Sequence, residues 1–161
     1  MKSEVEVNRA VSLYADTVRR ICFMHLKNHS DVEDVFQDVF LKYILYEHHF
    51  ESDEHEKAWV IRVTIHRCKD LLKSFFRRKV RSLEDVNIEP FYLHEEGSRL
   101  LDAILRLPAN YKDVIYLFYY EGYTAVEIAK LKDQKENTIY TWLSRAKIKL
   151  KKELGGEPFD E

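Results

Sequence analysis

The chain has 161 residues, a formal net charge of -2 at pH 7 and 45% hydrophobic residues, with 13% aromatic residues. This length and apolar content suffice for one domain or two small ones with a real core, so we expect a folded, soluble protein. Only four Gly and three Pro are present, which leaves little material for hairpin turns or a glycine-rich phosphate loop. Apolar residues recur at helical spacing almost throughout, which predicts an all-α protein.

Cysteine usage and hydropathy indicate where the protein works. Cys22 and Cys68 stand alone within helical patterns and form no CxxC pair. We therefore predict buried thiols in a reducing cytosol, and neither a zinc site nor a disulfide framework. No apolar run approaches the roughly 18 residues of a membrane-spanning helix, and the first ten residues lack the apolar core of a signal peptide. We expect a cytoplasmic protein without membrane insertion.

Charge is strongly segregated along the chain. Residues 62–81 hold eight Lys or Arg and one acid, and residues 130–152 hold eight Lys or Arg and two acids. By contrast, residues 31–56 hold nine acids and one Lys, and residues 84–96 hold five acids and no base. Such runs are often only solvated faces, but two basic zones on separate helical units favour two contacts with one long polyanion.

The chain divides at the acidic segment 82–98. This segment holds a Pro and a Gly and lacks helical periodicity. We predict a linker here, between an N-terminal helical domain of residues 1–81 and a smaller C-terminal domain of residues 99–161. No internal repeat or low-complexity tract interrupts either part.

In chain order, the first informative helix is predicted to begin at a capping box formed by Ser30 and Glu33. Its inner stripe consists of Val32, Phe36, Val39 and Tyr43, flanked by Val35 and Phe40. Its outer face presents Asp34, Gln37, Asp38, Leu41 and Leu45. Two leucines among carboxylates and an amide indicate a docking surface for another protein. The alternative is a solvated helix with stray leucines.

The next helix, predicted over residues 57–77, has an apolar side and a basic side. The apolar side consists of Val60, Ile61, Thr64, Ile65, Cys68, Leu71, Leu72, Phe75 and Phe76. The other side consists of Trp59, Arg62, Val63, His66, Lys69, Asp70, Lys73 and Arg77. An exposed Trp and Val among cations favour contact with unstacked bases, because rings stack on bases while cations hold phosphates. The alternative for Trp59 is a domain-packing anchor.

Residues 124–147 predict two short helices folded about a polar corner. Thr124 and Glu127 form a capping box, so the first helix should begin at Ala125. Its inner face consists of Ile128, Ala129 and Leu131, and that of the second helix consists of Ile139, Leu143, Ala146 and Leu150. The opposite side of the second helix carries Asn137, Thr141, Ser144, Arg145 and Ile148. Short polar groups beside one Arg suit base edges and phosphates, which predicts a helix-turn-helix. An ordinary helical hairpin is the alternative.

Together these motifs resemble the bacterial sigma factors of the extracytoplasmic-function (ECF) type, the compact sigma-70 group that has only the second and fourth conserved sigma regions. The polymerase-binding helix of that family is similar to residues 31–44 (DVEDVFQDVFLKYI), and its promoter-melting helix to residues 58–79 (AWVIRVTIHRCKDLLKSFFRRK). Its fourth region is similar to residues 107–131 (LPANYKDVIYLFYYEGYTAVEIAKL) and residues 137–150 (NTIYTWLSRAKIKL). The similarity covers most of the chain apart from the predicted linker and the tails.

The resemblance implies a fold of two small helical domains and a sigma factor that directs RNA polymerase to specific promoters. It implies no catalytic residue, cofactor or metal; the partners would be core RNA polymerase, promoter DNA and an anti-sigma factor. Its polymerase-binding residues would be Asp34, Gln37, Asp38, Leu41 and Leu45. Its minus-ten residues would be Trp59, Arg62, Val63, His66, Lys69, Asp70, Lys73 and Arg77. Its minus-thirty-five residues would be Lys135, Asn137, Thr138, Tyr140, Thr141, Ser144, Arg145 and Lys147.

The chain also departs from the family pattern. His66 stands where Asn is common, and Lys132, Asp133 and Gln134 replace the usual Leu-Gly-Ile of the helix-turn-helix corner. Without that glycine, one alternative is a corner that opens differently, with Asp133 and Glu136 capping the second helix. Trp142, within a stretch where relatives have Lys-Ser-Arg, either packs in the core or contacts sugar or methyl groups. In relatives, the loop before the promoter-melting helix receives a flipped base, and residues 47–57 (EHHFESDEHEK) stand there.

Two other classes of function compete with this interpretation. The main alternative is a stand-alone helix-turn-helix transcriptional regulator, because the C-terminal motif alone resembles such proteins. An enzyme is a more distant one, with His48, His49 and His55 and the nearby acids as a metal site. These histidines lie in one hydrophilic loop without helical ligand spacing, which favours a solvated loop.

Overall fold

The computed structural model describes residues 1–81 and 99–155, apart from the side chains of residues 75 and 77–81. Within these residues the chain is helical and contains no strand, which confirms the all-α prediction. No helix in the described ranges is long and apolar enough to cross a membrane. The helices are α1 (Glu4–His25), α2 (His29–Leu45), α3 (Asp53–Arg81), α4 (Arg99–Leu105), α5 (Ala109–Ile115), α6 (Ala125–Lys132) and α7 (Glu136–Glu153), and a π-helical segment (Tyr116–Tyr120) continues α5.

The chain divides into two compact units, Met1–Tyr92 and Leu93–Glu161. The division falls inside residues 82–98, where the sequence predicts a linker. That segment lies outside the described residues, so the linker and the bounds of the two domains stay predictions. The charge of the segment, five acids without a Lys or Arg, is known from the sequence alone.

The first unit is a three-helix bundle in which α1, α2 and α3 pack against one another. α1 begins with a capping box, because Ser3 and Glu6 exchange side-chain and backbone hydrogen bonds. The core consists of Ala10, Tyr14, Val18, Cys22, Leu26, Val32, Val35, Val39, Phe40, Tyr43, Val60 and Cys68. Cys22 and Cys68 are fully buried free thiols whose sulfur atoms lie 4.0 Å apart, which confirms the predicted burial.

The start of α2 differs from the sequence prediction. The N-cap is Asn28, whose side-chain oxygen accepts a hydrogen bond of 2.8 Å from the backbone N–H of Asp31. Ser30 lies inside the first turn, so the predicted capping box of Ser30 and Glu33 is wrong. Asn and Ser are comparable N-cap residues, and here the earlier one is used.

α3 is longer than its predicted range and less buried towards its C-terminus. It begins at Asp53 and has 29 residues, whereas α1 has 22 and α2 has 17. Its apolar side is buried from Val60 to Cys68 as predicted, but Leu72 is 36% exposed and Phe76 is 68% exposed. The prediction that these two belong to the inner face is wrong, because helical period alone does not reveal where the partner helices end.

A buried carboxylate ties the three helices together. Glu56 of α3 is 6% exposed and accepts hydrogen bonds from the Tyr14 hydroxyl (2.7 Å), the Tyr43 hydroxyl (2.8 Å) and Arg9 Nη1 (2.8 Å). Burial raises the pKa of the Glu56 carboxyl, but these hydrogen bonds outweigh it and hold the pKa below its ordinary value. Burial, together with the bond to Glu56, raises the pKa of both tyrosines. Arg9 also pairs with Asp53 at 2.7 Å.

The second unit consists of α4 to α7, with α7 packed against α4, α5 and α6. Its core consists of Ala103, Leu107, Val114, Ile115, Tyr116, Leu117, Ala125, Ile128, Ala129, Leu131, Ile139, Leu143, Ala146, Leu150 and Leu154. Gly122 connects the π-helical segment to α6 with φ +80°, a conformation that favours glycine. The chain therefore leaves the π-helical segment at this residue before α6 begins.

We predict that Glu56→Gln lowers the free energy of unfolding by about 1.5–3 kcal/mol at neutral pH, because three charge-assisted hydrogen bonds are weakened. Since the folded pKa of Glu56 is lowered, its contribution is present above pH 4.5 and is lost as the pH falls through the folded pKa. The variant should therefore lose less stability than the parent between pH 7 and about pH 3. Urea unfolding followed by Trp59 fluorescence, with Trp142→Phe in both proteins, measures this.

The matched control is Glu54→Gln, which removes an exposed carboxylate from the same helical turn. It should leave both the stability at neutral pH and the acid response almost unchanged. Equal losses in the two variants would show that Glu56 does not hold the bundle together.

Candidate nucleic-acid interface

α6 begins as predicted. Thr124 Oγ1 accepts a hydrogen bond of 3.1 Å from the backbone N–H of Glu127, and Glu127 Oε1 accepts one of 2.9 Å from the backbone N–H of Thr124. The capping box is therefore complete and Ala125 is the first helical residue. The predicted inner face of Ile128, Ala129 and Leu131 is buried. α6 thus offers a firm surface on which α7 packs.

The corner between α6 and α7 closes without a glycine. Asp133 takes the left-handed conformation (φ +53°, ψ +52°), which Asp tolerates better than most residues. The backbone N–H of Gln134 donates to the carbonyl of Ala129 at 2.8 Å, which closes the last turn of α6. Asp133 therefore ends α6. The alternative in which Asp133 and Glu136 cap α7 is wrong, because the N-cap is Lys135 and makes no side-chain cap bond.

α7 has the predicted buried and open sides. Its inner residues Ile139, Leu143, Ala146 and Leu150 are all buried. Among the predicted minus-thirty-five residues, those exposed are Lys135, Asn137, Tyr140, Thr141, Ser144 and Arg145, and those half-buried are Thr138 and Lys147. The Thr141 hydroxyl donates to the carbonyl of Asn137 at 2.9 Å, so its oxygen remains an acceptor on the open side. α7 therefore presents a face of short polar groups with cations beside them.

A groove of about 450 Å³ runs beside this open face. Phe118 and Tyr119 of the π-helical segment line one side, and α7 lines the other with Tyr140, Leu143, Ser144, Lys147, Ile148 and Lys151. The ammonium of Lys147 lies 5.6 Å from the centre of the Tyr119 ring. This position is consistent with the half-burial of Lys147, since its ammonium lies over an aromatic ring.

A buried ion pair behind the corner escaped the sequence prediction. The side chains of Lys132 and Asp113 are 3% and 0% exposed and form a salt bridge. Lys132 Nζ also donates to Asn110 Oδ1 at 3.3 Å and lies 5.8 Å from the centre of the Trp142 ring. The helical spacing could have revealed the burial of Lys132, because Lys132 follows Ile128 by four residues and so lies on the inner side of α6. Trp142 is half-buried at this cluster, which supports the core-packing alternative for that residue.

The predicted minus-ten side of α3 is more buried than the sequence suggested. Its exposed members are Arg62, His66, Asp70 and Lys73, and its half-buried members are Trp59, Val63 and Lys69. The side chain of Arg77 lies outside the described residues. The expectation of a fully exposed Trp59 and Val63 is wrong, because both pack partly against the core of the bundle.

Trp59 belongs to an aromatic cluster with the segment that leaves α2. Its ring centre lies 4.8 Å from that of Tyr46, 5.6 Å from that of Phe50 and 6.1 Å from that of Tyr43. Tyr46 and Phe50 stack at 5.2 Å with an interplanar angle of 17°. Trp59 is therefore a packing anchor, as one alternative held, and the residue as a whole is half-buried.

A cavity of about 360 Å³ lies between the start of α1 and the connection from α2 to α3, hereafter the 46–52 loop. Lys2 and Arg9 line it from one side, and Tyr43, Phe50 and Glu56 line it from the other. The loop is shorter than the predicted segment 47–57, because α3 already begins at Asp53. The cavity and the aromatic cluster share Tyr43 and Phe50.

The histidines near the 46–52 loop are not grouped as metal ligands in the part of the chain that the structure describes. Within residues 1–81 and 99–155, no three His, Cys, Asp or Glu side chains are grouped to hold a metal ion. His55 Nδ1 accepts a hydrogen bond of 3.1 Å from the backbone N–H of Glu51, and its ring packs edge-on against Phe50 at 5.4 Å. His55 therefore supports the conformation of the 46–52 loop.

The outer face of α2 carries the predicted docking residues. Asp34 and Gln37 are exposed, and Leu41 and Leu45 are 53% and 59% exposed. Asp38 is half-exposed and pairs with Arg67 of α3 at 2.5 Å, a contact that the sequence did not reveal. Asp38 thus contributes to bundle packing, while the two leucines form an open apolar patch with polar neighbours.

Comparison with known proteins places these features in one family. The chain matches the family models for Sigma-70 region 2 over residues 10–81 and for Sigma-70, region 4 over residues 98–150. The RNA polymerase sigma factor SigV of Bacillus subtilis (strain 168) is 29% identical over 142 residues, covering 83% of this chain and 84% of that relative. The ECF RNA polymerase sigma factor SigW of the same organism is 21% identical over 161 residues, covering 89% and 86%.

Solved structures share the fold. The sigma factor RpoE from Bartonella quintana, crystallised in complex with the anti-sigma factor NepR, gives a TM-score of 0.76 at 22% identity, covering 95% of this chain and 99% of that one. CnrH, solved in complex with the cytosolic domain of CnrY, gives a TM-score of 0.68 at 20% identity, covering 97% and 92%. Identities this low show similarity of fold alone.

The matches to region 2 and region 4 identify a factor of promoter-specific transcription initiation. The chain belongs to the sigma-70 family and is a sigma factor of the ECF type. Proteins of this family bind DNA and assist initiation and are not catalysts by themselves. The stand-alone regulator is not favoured, because the region 2 match covers the N-terminal helices.

We predict that Lys132→Met destabilises the chain by about 3–5 kcal/mol, because it leaves the carboxylate of Asp113 buried and unpaired. The double variant Lys132→Met/Asp113→Asn should lose less than the sum of the single losses, because it removes both charges. Urea unfolding followed by Trp142 fluorescence, with Trp59→Phe in all proteins, reports on this cluster. Lys149→Met, which removes an exposed Lys from α7, is the control and should be nearly neutral. Additive losses would argue against the ion pair.

Proposed function

We propose that this sigma factor brings core RNA polymerase to promoters by contacting two DNA elements. α7 binds the minus-thirty-five element, and α3 with the 46–52 loop binds the opened minus-ten element. The observation that carries the proposal is the open polar face of α7 in a helix-turn-helix whose first helix, α6, begins at a complete capping box. The matches to region 2 and region 4, in that order along the chain, support the pairing of the two contacts.

The minus-thirty-five contact uses α7 as the recognition helix in the major groove. Its N-terminal half presents Asn137, Thr141 and Ser144, whose short polar groups can reach base edges. Arg145 and Lys147 come directly after Ser144 and hold backbone phosphates, which position the helix without reading sequence. The buried inner face and the Lys132 ion pair fix the angle at which α7 leaves the corner.

The minus-ten contact uses the basic side of α3 and the neighbouring loop. Arg62, Lys69 and Lys73 hold the phosphates of the unpaired strand, and His66 lies among them to contact a base. The aromatic cluster and the adjoining cavity receive a base extruded from the stack. Unstacking a base costs a few kcal/mol, so a cavity that binds the extruded base lowers the barrier where the sequence fits.

The polymerase contact uses the outer face of α2. Leu41 and Leu45 form the apolar centre of the docking surface, and Asp34 and Gln37 form part of its polar rim. We propose the clamp helices of core RNA polymerase as the partner, in the cytoplasm where that enzyme works. Polymerase supplies the chemistry, and the sigma factor supplies placement on the promoter.

The low net charge supports delivery of both DNA contacts by polymerase. Phosphate contacts bind any sequence, so a strongly cationic protein would be held on DNA everywhere. The acidic segments at residues 31–56 and 84–96 counter this tendency. An anti-sigma factor is a further proposed partner, because RpoE of Bartonella quintana forms such a complex and shares this fold.

We predict that the purified chain makes core RNA polymerase start specific transcripts in run-off transcription on a genomic library, and that these transcripts define the promoter. Free protein should bind the same promoter weakly at physiological salt. Tight, specific binding by the free protein, without specific transcripts from polymerase, would favour the stand-alone regulator.

On that promoter, Asn137→Ala should weaken discrimination at a single base pair by about 1–3 kcal/mol. Arg145→Ala should instead weaken holoenzyme binding evenly across sequences and lower the salt slope by about one. Lys149→Ala is the control on the same helix. The assignment of base and phosphate roles would be contradicted if both variants changed discrimination at one base pair.

We predict that Leu41→Ala/Leu45→Ala weakens the affinity for core RNA polymerase by about tenfold for each leucine, because two apolar anchors are truncated. Fluorescence anisotropy of the labelled protein titrated with core polymerase measures this. The matched control is Leu13→Ala, since Leu13 of α1 is 53% exposed, like Leu41. An equal loss in the control would show that the effect is not specific to the outer face of α2.

A further inference from the structure

Lys2 lies just before α1 and reaches the segment that leaves α2. Its backbone N–H donates to the carbonyl of Ile44 at 2.9 Å. Its side-chain Nζ donates to the carbonyls of Tyr46 and His48 at 2.8 Å and 3.3 Å. The carbonyl groups of an irregular segment have no partner in a helix or sheet and need other hydrogen-bond donors. The ammonium of Lys2 donates to two such carbonyls. Lys2 therefore holds the first half of the 46–52 loop at several atoms.

The ammonium of Lys2 also lies among the rings of the aromatic cluster. It is 5.3 Å from the ring centre of Tyr43, 5.6 Å from that of Tyr46 and 5.4 Å from that of Phe50. These distances are within the roughly 6 Å over which a cation is attracted to an aromatic ring. Because Tyr46 and Phe50 also pack on Trp59, the contacts of Lys2 extend through the cluster towards α3.

The charges around the cavity explain how a cation is held there. Glu6, Glu51, Asp53 and Glu56 line the same cavity, and Arg9 already pairs with Asp53 and Glu56. An additional cation at the mouth of an acid-rich cavity is electrostatically favoured. The ammonium of Lys2 makes its two hydrogen bonds to carbonyls of the 46–52 loop and lies near three aromatic rings, so its contacts are with the loop and its rings.

We propose that Lys2 is a positioning residue for minus-ten recognition: it fixes the 46–52 loop and its aromatic rings in the shape that accepts an extruded base. This inference rests on the proposed minus-ten contact. Lys2 acts through Tyr46 and Phe50 and need not touch the base. A direct contact of Lys2 with a phosphate is a different role, and the experiment below separates the two.

The loop-holding part is tested without DNA or polymerase. Lys2→Met keeps an unbranched side chain but removes the charge and the donors. Hydrogen exchange of the backbone amides of Tyr46 and Glu51, which donate to the Tyr43 carbonyl and to His55 Nδ1, should become about tenfold faster in the full chain, because local opening is easier. Lys27→Met, which removes an exposed Lys between α1 and α2, should leave these amides unchanged. Unchanged exchange in Lys2→Met would overturn the inference.

The functional part is tested by a double-mutant cycle in the holoenzyme. Abasic sites are placed one at a time in the non-template strand of the minus-ten element, and open-complex formation is measured for the parent and for Lys2→Met. With the parent, an abasic site at one position should strongly reduce open-complex formation, because the extruded base is lost there. This reduction is the abasic penalty. With Lys2→Met, the penalty at that position should shrink severalfold, because the loop no longer holds the base well.

The alternatives give different results. If Lys2 only holds a phosphate, Lys2→Met lowers binding equally for intact and abasic promoters and reduces the salt slope by about one, which overturns the positioning role. If the parent holoenzyme shows no abasic penalty at any position, the proposed minus-ten contact fails and this inference fails with it. The exchange experiment distinguishes that failure, because it reports on the loop whether or not DNA binds.

Discussion

The N-terminal unit depends on the hydrogen bonds that the buried carboxylate of Glu56 accepts. It accepts hydrogen bonds from Tyr14 and Arg9 of α1 and from Tyr43 of α2, so one residue near the start of α3 joins all three helices. Tyr43 is at the same time a member of the aromatic cluster that includes Trp59. The position of the proposed base-accepting surface is therefore fixed by a buried polar network as much as by apolar packing.

The C-terminal unit uses the same kind of device. Lys132 and Asp113 form a buried ion pair behind the corner of the helix-turn-helix, and Trp142 of α7 packs beside it. A buried pair contributes little net stability, but either partner alone is costly, so the pair strongly favours one arrangement of α5, α6 and α7. In both units, buried charged groups join helices whose outer faces are exposed, and the proposed contacts with DNA and polymerase use those faces.

The sequence predicted most of the architecture and much of the candidate site. Strict periodicity located the inner faces of α6 and α7, and the Thr124 capping box placed the start of α6 correctly. Two kinds of prediction failed: the start of a helix where two residues could each be the N-cap, and the burial of apolar residues beyond the end of a partner helix. Asn28 and Ser30 are comparable caps, so the start of α2 was misplaced, and Leu72 and Phe76 continue an apolar pattern beyond the helices that would bury them.

The sequence by itself determined the helical class, the order of the two family regions, the segregation of charge and the open face of α7, because each is written in local period, spacing and composition. Only the tertiary structure decided which polar groups meet across long separations. Glu56 finds Arg9 from 47 positions away, Lys132 finds Asp113 from 19, and Lys2 reaches Tyr46 from 44. Such pairings depend on how helices pack in three dimensions, and no local pattern encodes the distance between two side chains.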